Sequence, residues 1–351
     1  MSAGPHAPTA GPREACGTTR GGAPGLDAAV DAHLPGATLF NLPAFHALNL
    51  QPGQRALSLA VAGPDDGRTI GALGGVLTGG TFVSGHSAPY GGFDLARDRE
   101  TPENVARLVD GALAQLERLG ARAVRVRLPP AALGESEGLI AFTLLNRGFA
   151  VERCELNQHI DVTGIAGPDD YLAGLRSPAR RALRRLLGPE LRFATAETDA
   201  DWARGHAVLA ANRAAKGRRL ALPVDYVLRA RDALPAHAVR LHELVDDAAG
   251  RTVAAALVYR VRPGCDLVVA WGDAPDHGRE RSPMNLLAYR IVEAALAAGL
   301  RTVDLGISND PEPVLHHGGG LAANPGLHQF KQSVLATTTP RLTLVKELPR
   351  P

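Results

Sequence analysis

The sequence predicts an α+β fold of two tandem units, each a mixed, mainly antiparallel sheet flanked by helices. Three observations lead there. The chain has 351 residues, long for one domain and comfortable for two. Apolar residues make up 45% of it, enough to fill more than one core. The same order of elements can be read twice: antiparallel strands, a long helix, a strand, a helix, a strand. The boundary falls near 161–170, at "DVTGIAGPDD", which gives a leader over 1–30, an N-terminal unit over 31–165 and a C-terminal unit over 166–351. The leader is rich in Gly, Pro, Ala and Thr and lacks the apolar stretch of a signal peptide, so disorder is expected for it.

In the first unit "ATLFNLPAFHALNL" reads as a short strand and a helical turn. "RALSLAVAG" (55–63) alternates weakly, as a strand does. "GPDDG" is a turn, and 68–86 reads as two further strands punctuated by glycine. Residues 101–121 form a helix, with Thr101 as cap, Pro102 in the first turn and apolar Val105, Leu108, Val109, Leu113 and Leu116 on one face. Gly120 closes it. "RAVRVRLPP" is a strand stopped by prolines, "LIAFTLLNRGF" a short helix and "AVERCELNQHIDV" a strand.

The second unit opens with a basic helix over 171–188 and a short strand, "LRFATA". A helix over 199–217, with Asp199 as its cap, and a second, "DYVLRARDAL", follow. "AVRLHELVDD" and "GRTVAAALVYRVRPGCDLVVAWGDA" supply three strands. A long helix spans 282–300, with Ser282 as cap, and "RTVDLGIS" (301–308) is a strand. A glycine-rich loop over 309–326, a short helix around Phe330 and the strand "RLTLVKEL" complete the chain.

Composition excludes some functions. Net charge is +2, so bulk charge does not announce a nucleic-acid binder. Cys16, Cys154 and Cys265 are far apart and form neither a zinc set nor a disulfide framework. A reducing cytoplasm is the simple expectation. No apolar run is long enough for a membrane span. No metal is expected either: the paired histidines in "HHGGG" (316–320) lack metal-ligand spacing and suit a mobile loop over a cleft.

Several pieces resemble the FemAB/FemX-like and CelD/BioF-like acetyltransferases of the GNAT superfamily. They are "LRSPARRALRRL", "AANRAAKG", "AAALVYR…DLVVAWGDA", "SPMNLLAYRIVEAALAAGL", "TVDLGIS" and "GLHQFK". "SGHSAPYGGF" (84–93) is similar to the aromatic-Gly-Gly turn of these families' first unit. The resemblance covers about 37–346 and implies two GNAT-like units with an acyltransferase site in the second. It implies an N-acyltransferase that moves an acyl or aminoacyl group to an amine. The donor would be aminoacyl-tRNA or acyl-CoA, a co-substrate rather than a bound cofactor. CoA users of the superfamily carry a glycine-rich loop before the long helix. Here the stretch is "HGRERSPM", and FemX-like enzymes share that departure and use aminoacyl-tRNA. A CoA-dependent N-acetyltransferase and a non-catalytic binding protein on the same scaffold remain as alternatives.

The resemblance ties the Phe-Lys pair, Phe330 and Lys331, to the acyl donor. The chain has three lysines against 35 arginines, and Lys331 would set a cation near the donor phosphate or the developing oxyanion. A surface lysine on an amphipathic helix is the simpler reading. Asp304, at the end of its strand, is the candidate to orient the amine or take its proton, or else to bond a neighbouring backbone or arginine. Trp271 and Met284 would line the donor cleft, or belong to the core. Arg279, Arg281 and Ser282 at the start of the long helix would hold phosphate, or be an ordinary helix start. Arg176, Arg180, Arg181, Arg184 and Arg185 form one cationic face through i/i+4 pairs. Arg180 and Arg184, with Lys216, His86 and Tyr90, are the candidates for acceptor or tRNA contact, against solvated face and structural turn. The identity of the acceptor and the oligomeric state are not written in the sequence.

Overall fold

The computed structural model describes residues 34, 37–134, 136–188, 190–276, 283–313 and 321–349. After a short 3-10 turn at Leu39–Asn41 the chain runs α1 (Pro43–Asn49), β1 (Arg55–Ala62), β2 (Thr69–Thr78), β3 (Thr81–Ser84), β4 (Phe93–Leu95), α2 (Pro102–Arg118), β5 (Ala123–Arg127), α3 (Glu137–Asn146) and β6 (Ala150–Asp161). It continues with α4 (Pro168–Gly174), α5 (Ser177–Arg184), β7 (Leu191–Thr195), α6 (Asp199–Ala215), α7 (Val224–Ala233), β8 (Val239–Asp246), β9 (Arg251–Arg262) and β10 (Cys265–Asp273). Then come α8 (Pro283–Ala297), β11 (Thr302–Ile307), β12 (Asn309–Pro313), β13 (Leu321–Ala323), α9 (Pro325–Ser333) and β14 (Thr337–Glu347).

Local chemistry accounts for most of this. Thr101 Oγ1 accepts the Asn104 backbone N–H and starts α2, whose Val105, Leu108, Val109, Ala112 and Leu116 form the buried stripe. Four expectations need correction. "ATLF" enters a 3-10 turn, Leu39–Asn41, which packs against β2 and β9 without pairing to either and runs through Leu42 into α1. The basic helix 171–188 is two helices: the chain leaves helical geometry at Leu175 and Arg176, and Pro178 sits in the first turn of α5. The cap of α6 is Thr198, in a capping box with Asp201. The stretch 309–326 includes paired strands, β12 with β13.

One sheet runs through the molecule in the order β1-β2-β3-β5-β14-β6-β11-β10-β9-β8-β7, with β4 on β2. β3 with β5 and β10 with β11 are parallel, and the other neighbours are antiparallel. The order is close to a palindrome about its centre. The first half ends in β6, which lies beside β11 of the second half; the chain's last strand, β14, lies beside β5 of the first. The halves thus exchange their final strands, and β6 and β14 pair with each other from His159–Thr337 to Ala150–Val345.

The cores follow from this exchange. Leu344 of β14 is buried with Val105, Leu108, Phe82 and Ile140 of the first half. Phe40 and Tyr90 pack in one cluster with Trp202, Tyr259 and Leu267 of the second half. A buried polar knot adds to the join. Arg262 on β9 donates to Glu137 Oε1 at 2.5 Å and to Thr38 Oγ1 at 2.8 Å. Thr38 Oγ1 in turn donates to Asp94 Oδ1 at 2.7 Å. Among the described residues no helix is long and apolar enough to cross a membrane.

Candidate active site: a split between two parallel strands

β10 and β11 pair only at Cys265–Thr302, Asp266–Val303 and Leu267–Asp304. Both strands then continue, to Asp273 and to Ile307, without further pairing to one another. Each follows its outer neighbour instead. β10 stays on β9 with a register shift at Val268/Ala270, and β11 stays on β6 with a shift between Asp304 and Ile307. Such irregularities bend the strands that carry them. Gly306, at φ +70°, sits inside the second one, where a side chain would be strained. The result is a wedge where the ladder between the two strands has ended, a place for an extended, amide-bearing ligand.

Lys331 of α9 meets β11 past its last pairing with β10. It is 1% exposed, and its Nζ donates to the carbonyls of Gly306 and Ile307, each at 2.8 Å. The sequence left open a surface lysine; the ammonium is instead buried and turned onto β11. Burial lowers its pKa to about 7, against the opposing pull of the Asp304 charge, while Arg341 and Arg213 push it down further. The neutral amine spends both N–H bonds on the two carbonyls and keeps a lone pair. The ammonium has one N–H to spare.

Asp304 is fully buried on β11. Its Oδ1 accepts from Asn157 Nδ2 and from the Gly306 backbone N–H, each at 2.8 Å. Burial raises its pKa, and those two hydrogen bonds and the nearby cations pull it back down. Among the described residues Oδ2 has no hydrogen-bond partner. A buried carboxylate oxygen without a partner is costly to keep charged.

Trp271 and Phe330 meet edge to face at the lip, with ring centroids 5.3 Å apart. Trp271 is carried by β10 beyond its last pairing with β11 and Phe330 by α9, so the contact spans the wedge. α9 is held in place by Asn324, whose side chain accepts the Leu327 N–H at 2.9 Å. Beyond Trp271, Asn212 of α6 donates to the carbonyl oxygen of Asp273 at 2.9 Å and to its Oδ1 at 2.7 Å. Lys216 Nζ donates to Asn212 Oδ1 at 2.9 Å. Gly272 leaves room for this, since a Cβ there would lie 2.5 Å from the Asn212 side chain.

Residues 173–312 match the family model described as an acetyltransferase (GNAT) domain. The chain carries an acyltransferase domain of the GNAT superfamily. The matched stretch runs from α4 to β12 and includes both walls of the wedge. Solved structures extend the likeness in fold to most of the chain. A crystal structure of FemX is 14% identical, with 90% of this chain and 93% of that one covered at a TM-score of 0.67. L-PGS from Bacillus licheniformis is 13% identical over 88% and 87% of the two chains, with a TM-score of 0.53. The C-terminal domain of a putative lysylphosphatidylglycerol synthetase from Agrobacterium fabrum is 16% identical over 84% and 85%, at 0.50. None of the curated proteins matches the sequence.

Around the GNAT domain's wedge the sequence candidates divide. Asp304, Lys331, Phe330 and Trp271 gather there. Half-buried Met284, at the start of α8, packs with Trp271 on the same core cluster. Arg279, Arg281, Ser282 and the "HHGGG" histidines lie outside the described residues. Lys216 is on the α6 side through Asn212. Arg184 is exposed on α5, and Arg180 Nη1 donates to the Ala173 carbonyl at 2.8 Å. Tyr90 is a core residue: it is fully buried, edge-on to Phe40 at 5.3 Å, and among the described residues its hydroxyl has no hydrogen-bond partner. His86 is half-buried, with its pKa lowered by burial and by Arg127. Sequence reasoning missed Asn157, Gly306, Asn212 and Arg341. A polar run inside the strand "CELNQHID" was the available signal for Asn157. Among the described residues no cluster of His, Cys, Asp or Glu is arranged to hold a metal ion.

Proposed function

We propose that the chain is a FemAB-like N-acyltransferase, with the acyl donor entering the wedge between β10 and β11. The observation that carries this is the parting of the two strands just past the buried Asp304, where the buried Lys331 bonds the Gly306 and Ile307 carbonyls. The donor's amide-bearing arm would bond the open strand edges, with Trp271 and Phe330 against its apolar part. The acceptor amine attacks the donor carbonyl, a C–N bond forms, and the carrier leaves as thiolate or alkoxide. The amine must lose a proton on the way. Neutral Lys331 has a lone pair for it, directly or through one water, and the Asp304 carboxylate stabilises the ammonium that results.

The carrier is aminoacyl-tRNA or acyl-CoA. FemAB-like character and the exposed arginines Arg176, Arg181, Arg184 and Arg185 of the α5 region favour tRNA. A second reading, CoA-dependent acetyl transfer, is favoured by the match of 173–312 to an acetyltransferase family model. The full chain is incubated with acetyl-CoA or with charged tRNA and a panel of amines, and products are read by mass spectrometry. Transfer from one donor that Lys331→Met abolishes supports the proposal. Failure of both donors to bind or to turn over would leave only a binding protein on this scaffold.

A further inference from the structure

At the seam between the halves lies a polar pocket of about 290 Å³. The first half supplies Arg97 and Glu100, which precede α2, and Ser136 and Glu137 at the start of α3; the second supplies Arg262 and Arg301. Arg262 ends β9, and Arg301 lies in the turn between α8 and β11. The pocket therefore sits where the chain enters β10 and β11, whereas the wedge opens where the two strands leave their ladder. The paired segment from Cys265–Thr302 to Leu267–Asp304, about 7 Å long, stands between them.

Part of the lining is already committed. Arg262 donates to Glu137 Oε1, and both carboxylate oxygens of Asp94 accept: Oδ1 from the Thr38 backbone N–H at 2.9 Å and Oδ2 from Asn41 Nδ2 at 2.8 Å. The rest does not close on itself. Glu137 is 4% exposed, yet among the described residues its Oε2 has no hydrogen-bond partner, and neither has the hydroxyl of buried Ser136. The Ser136 side chain does not cap α3. At the rim Arg97, Glu100 and Arg301 are exposed and join no ion pair among the described residues.

The charges select the ligand class. Among the described residues three arginines and three carboxylates line the pocket. A bare anion would meet Glu137 and Asp94, and a bare cation would meet Arg97 and Arg301. Glu137 Oε2 is an acceptor and calls for a charged N–H donor, and the Ser136 hydroxyl can accept another. The rim guanidiniums and the first turn of α3 suit a carboxylate. A molecule with both charges a few bonds apart meets these groups together. Ligand pockets start at about 300 Å³, so this one fits a small molecule.

We propose that the seam pocket binds a small free α-amino acid as its zwitterion, with the ammonium on Glu137 and Ser136 and the carboxylate toward Arg97 and Arg301, and so clamps the two halves together at the base of β10 and β11. The site is independent of the acyl-transfer reading: the amino acid is an effector there and is not consumed.

The test is thermal unfolding of the full chain in rising concentrations of glycine, L-alanine and L-serine, with acetate and methylammonium as the two charges taken separately. Circular dichroism follows the melt and checks that the variants fold. Arg301→Glu and Arg97→Glu each reverse one exposed rim charge, and if one fails to fold the other carries the test. A saturable rise in Tm with at least one amino acid, and an apparent Kd weakened at least tenfold in a folded variant, are expected. A rise that climbs without saturating, equally in wild type and variants, is solute exclusion from the surface and overturns the proposal. So does the absence of any rise. A saturable rise with the same apparent Kd in wild type and both variants puts the site elsewhere and overturns it too. Acetate or methylammonium binding as tightly as the amino acid overturns the choice of a zwitterion. If an amino acid binds as expected and no donor turns over, the transfer reading fails and the seam site stands.

Discussion

Trp271 and Phe330 touch edge to face, with ring centroids 5.3 Å apart, although one belongs to β10 and the other to α9. No backbone pairing joins β10 to β11 beyond Leu267 and Asp304, so this side-chain contact bridges the mouth of the wedge where the ladder has ended. Aromatic edge contacts contribute about 1 kcal/mol each. That is enough to define a mouth and little enough for a ligand to displace.

Trp271→Ala is therefore expected to act on donor binding. With the ring half-exposed, loss of stability stays near 1–2 kcal/mol by area, while KM for the donor rises about tenfold and kcat falls less. Steady-state kinetics with varied donor checks this. An unchanged donor KM would separate the aromatic lip from the donor.

Lys331→Met keeps the volume and removes the amine. We expect kcat to fall about 10²–10⁴-fold, the usual range for loss of a general base, with donor KM within a few-fold. The pH profile adds an independent reading. With a Lys331 pKa of about 7 and the neutral form active, kcat rises with pH and levels off above about 7. A rate that instead declines through that range would make the ammonium the working form and its role electrostatic.

His46 and His242 are both lowered to about 4, chiefly by burial. Between that value and the unfolded value near 6.5 the unfolded chain binds more protons than the folded one. Stability is therefore full above pH about 6.5 and lost as pH falls, by roughly 3 kcal/mol per histidine at most. Asp304 and Glu137, raised by burial, have the opposite sign in the acid part of this window. The informative quantity is the difference between wild type and His242→Gln. Urea melts at pH 5 and pH 7.5 should show a shallower loss in the variant, and equal losses would count against a buried neutral His242.

Leu344 lies in the chain's last strand and in the core of the first half. Leu344→Ala should cost about 2–5 kcal/mol. Both tryptophans, Trp202 and Trp271, are in the second half. With the terminal strands exchanged, tryptophan fluorescence should report the lowered transition at the same midpoint as circular dichroism. Two separated transitions would mean that the halves fold independently despite the exchange.

The sequence by itself determined the elements and their class. Thr101 and Pro102 start α2, apolar periodicity runs along it, and prolines after Arg127 end β5; these are local signals, readable one segment at a time. It also pointed to Asp304 and Trp271 as residues near strand ends, and to Phe330 and Lys331 through the resemblance of "GLHQFK". What only the tertiary structure decided is where the strands go and which way side chains face. The exchange of β6 and β14 depends on pairings between residues some 180 positions apart, such as His159 with Thr337, and no local pattern encodes such a partner. The burial of Lys331 follows from the same long-range packing. A lysine on a short amphipathic helix reads as a surface residue until α9 is laid on β11, where desolvation and two backbone carbonyls change both its environment and its proton affinity.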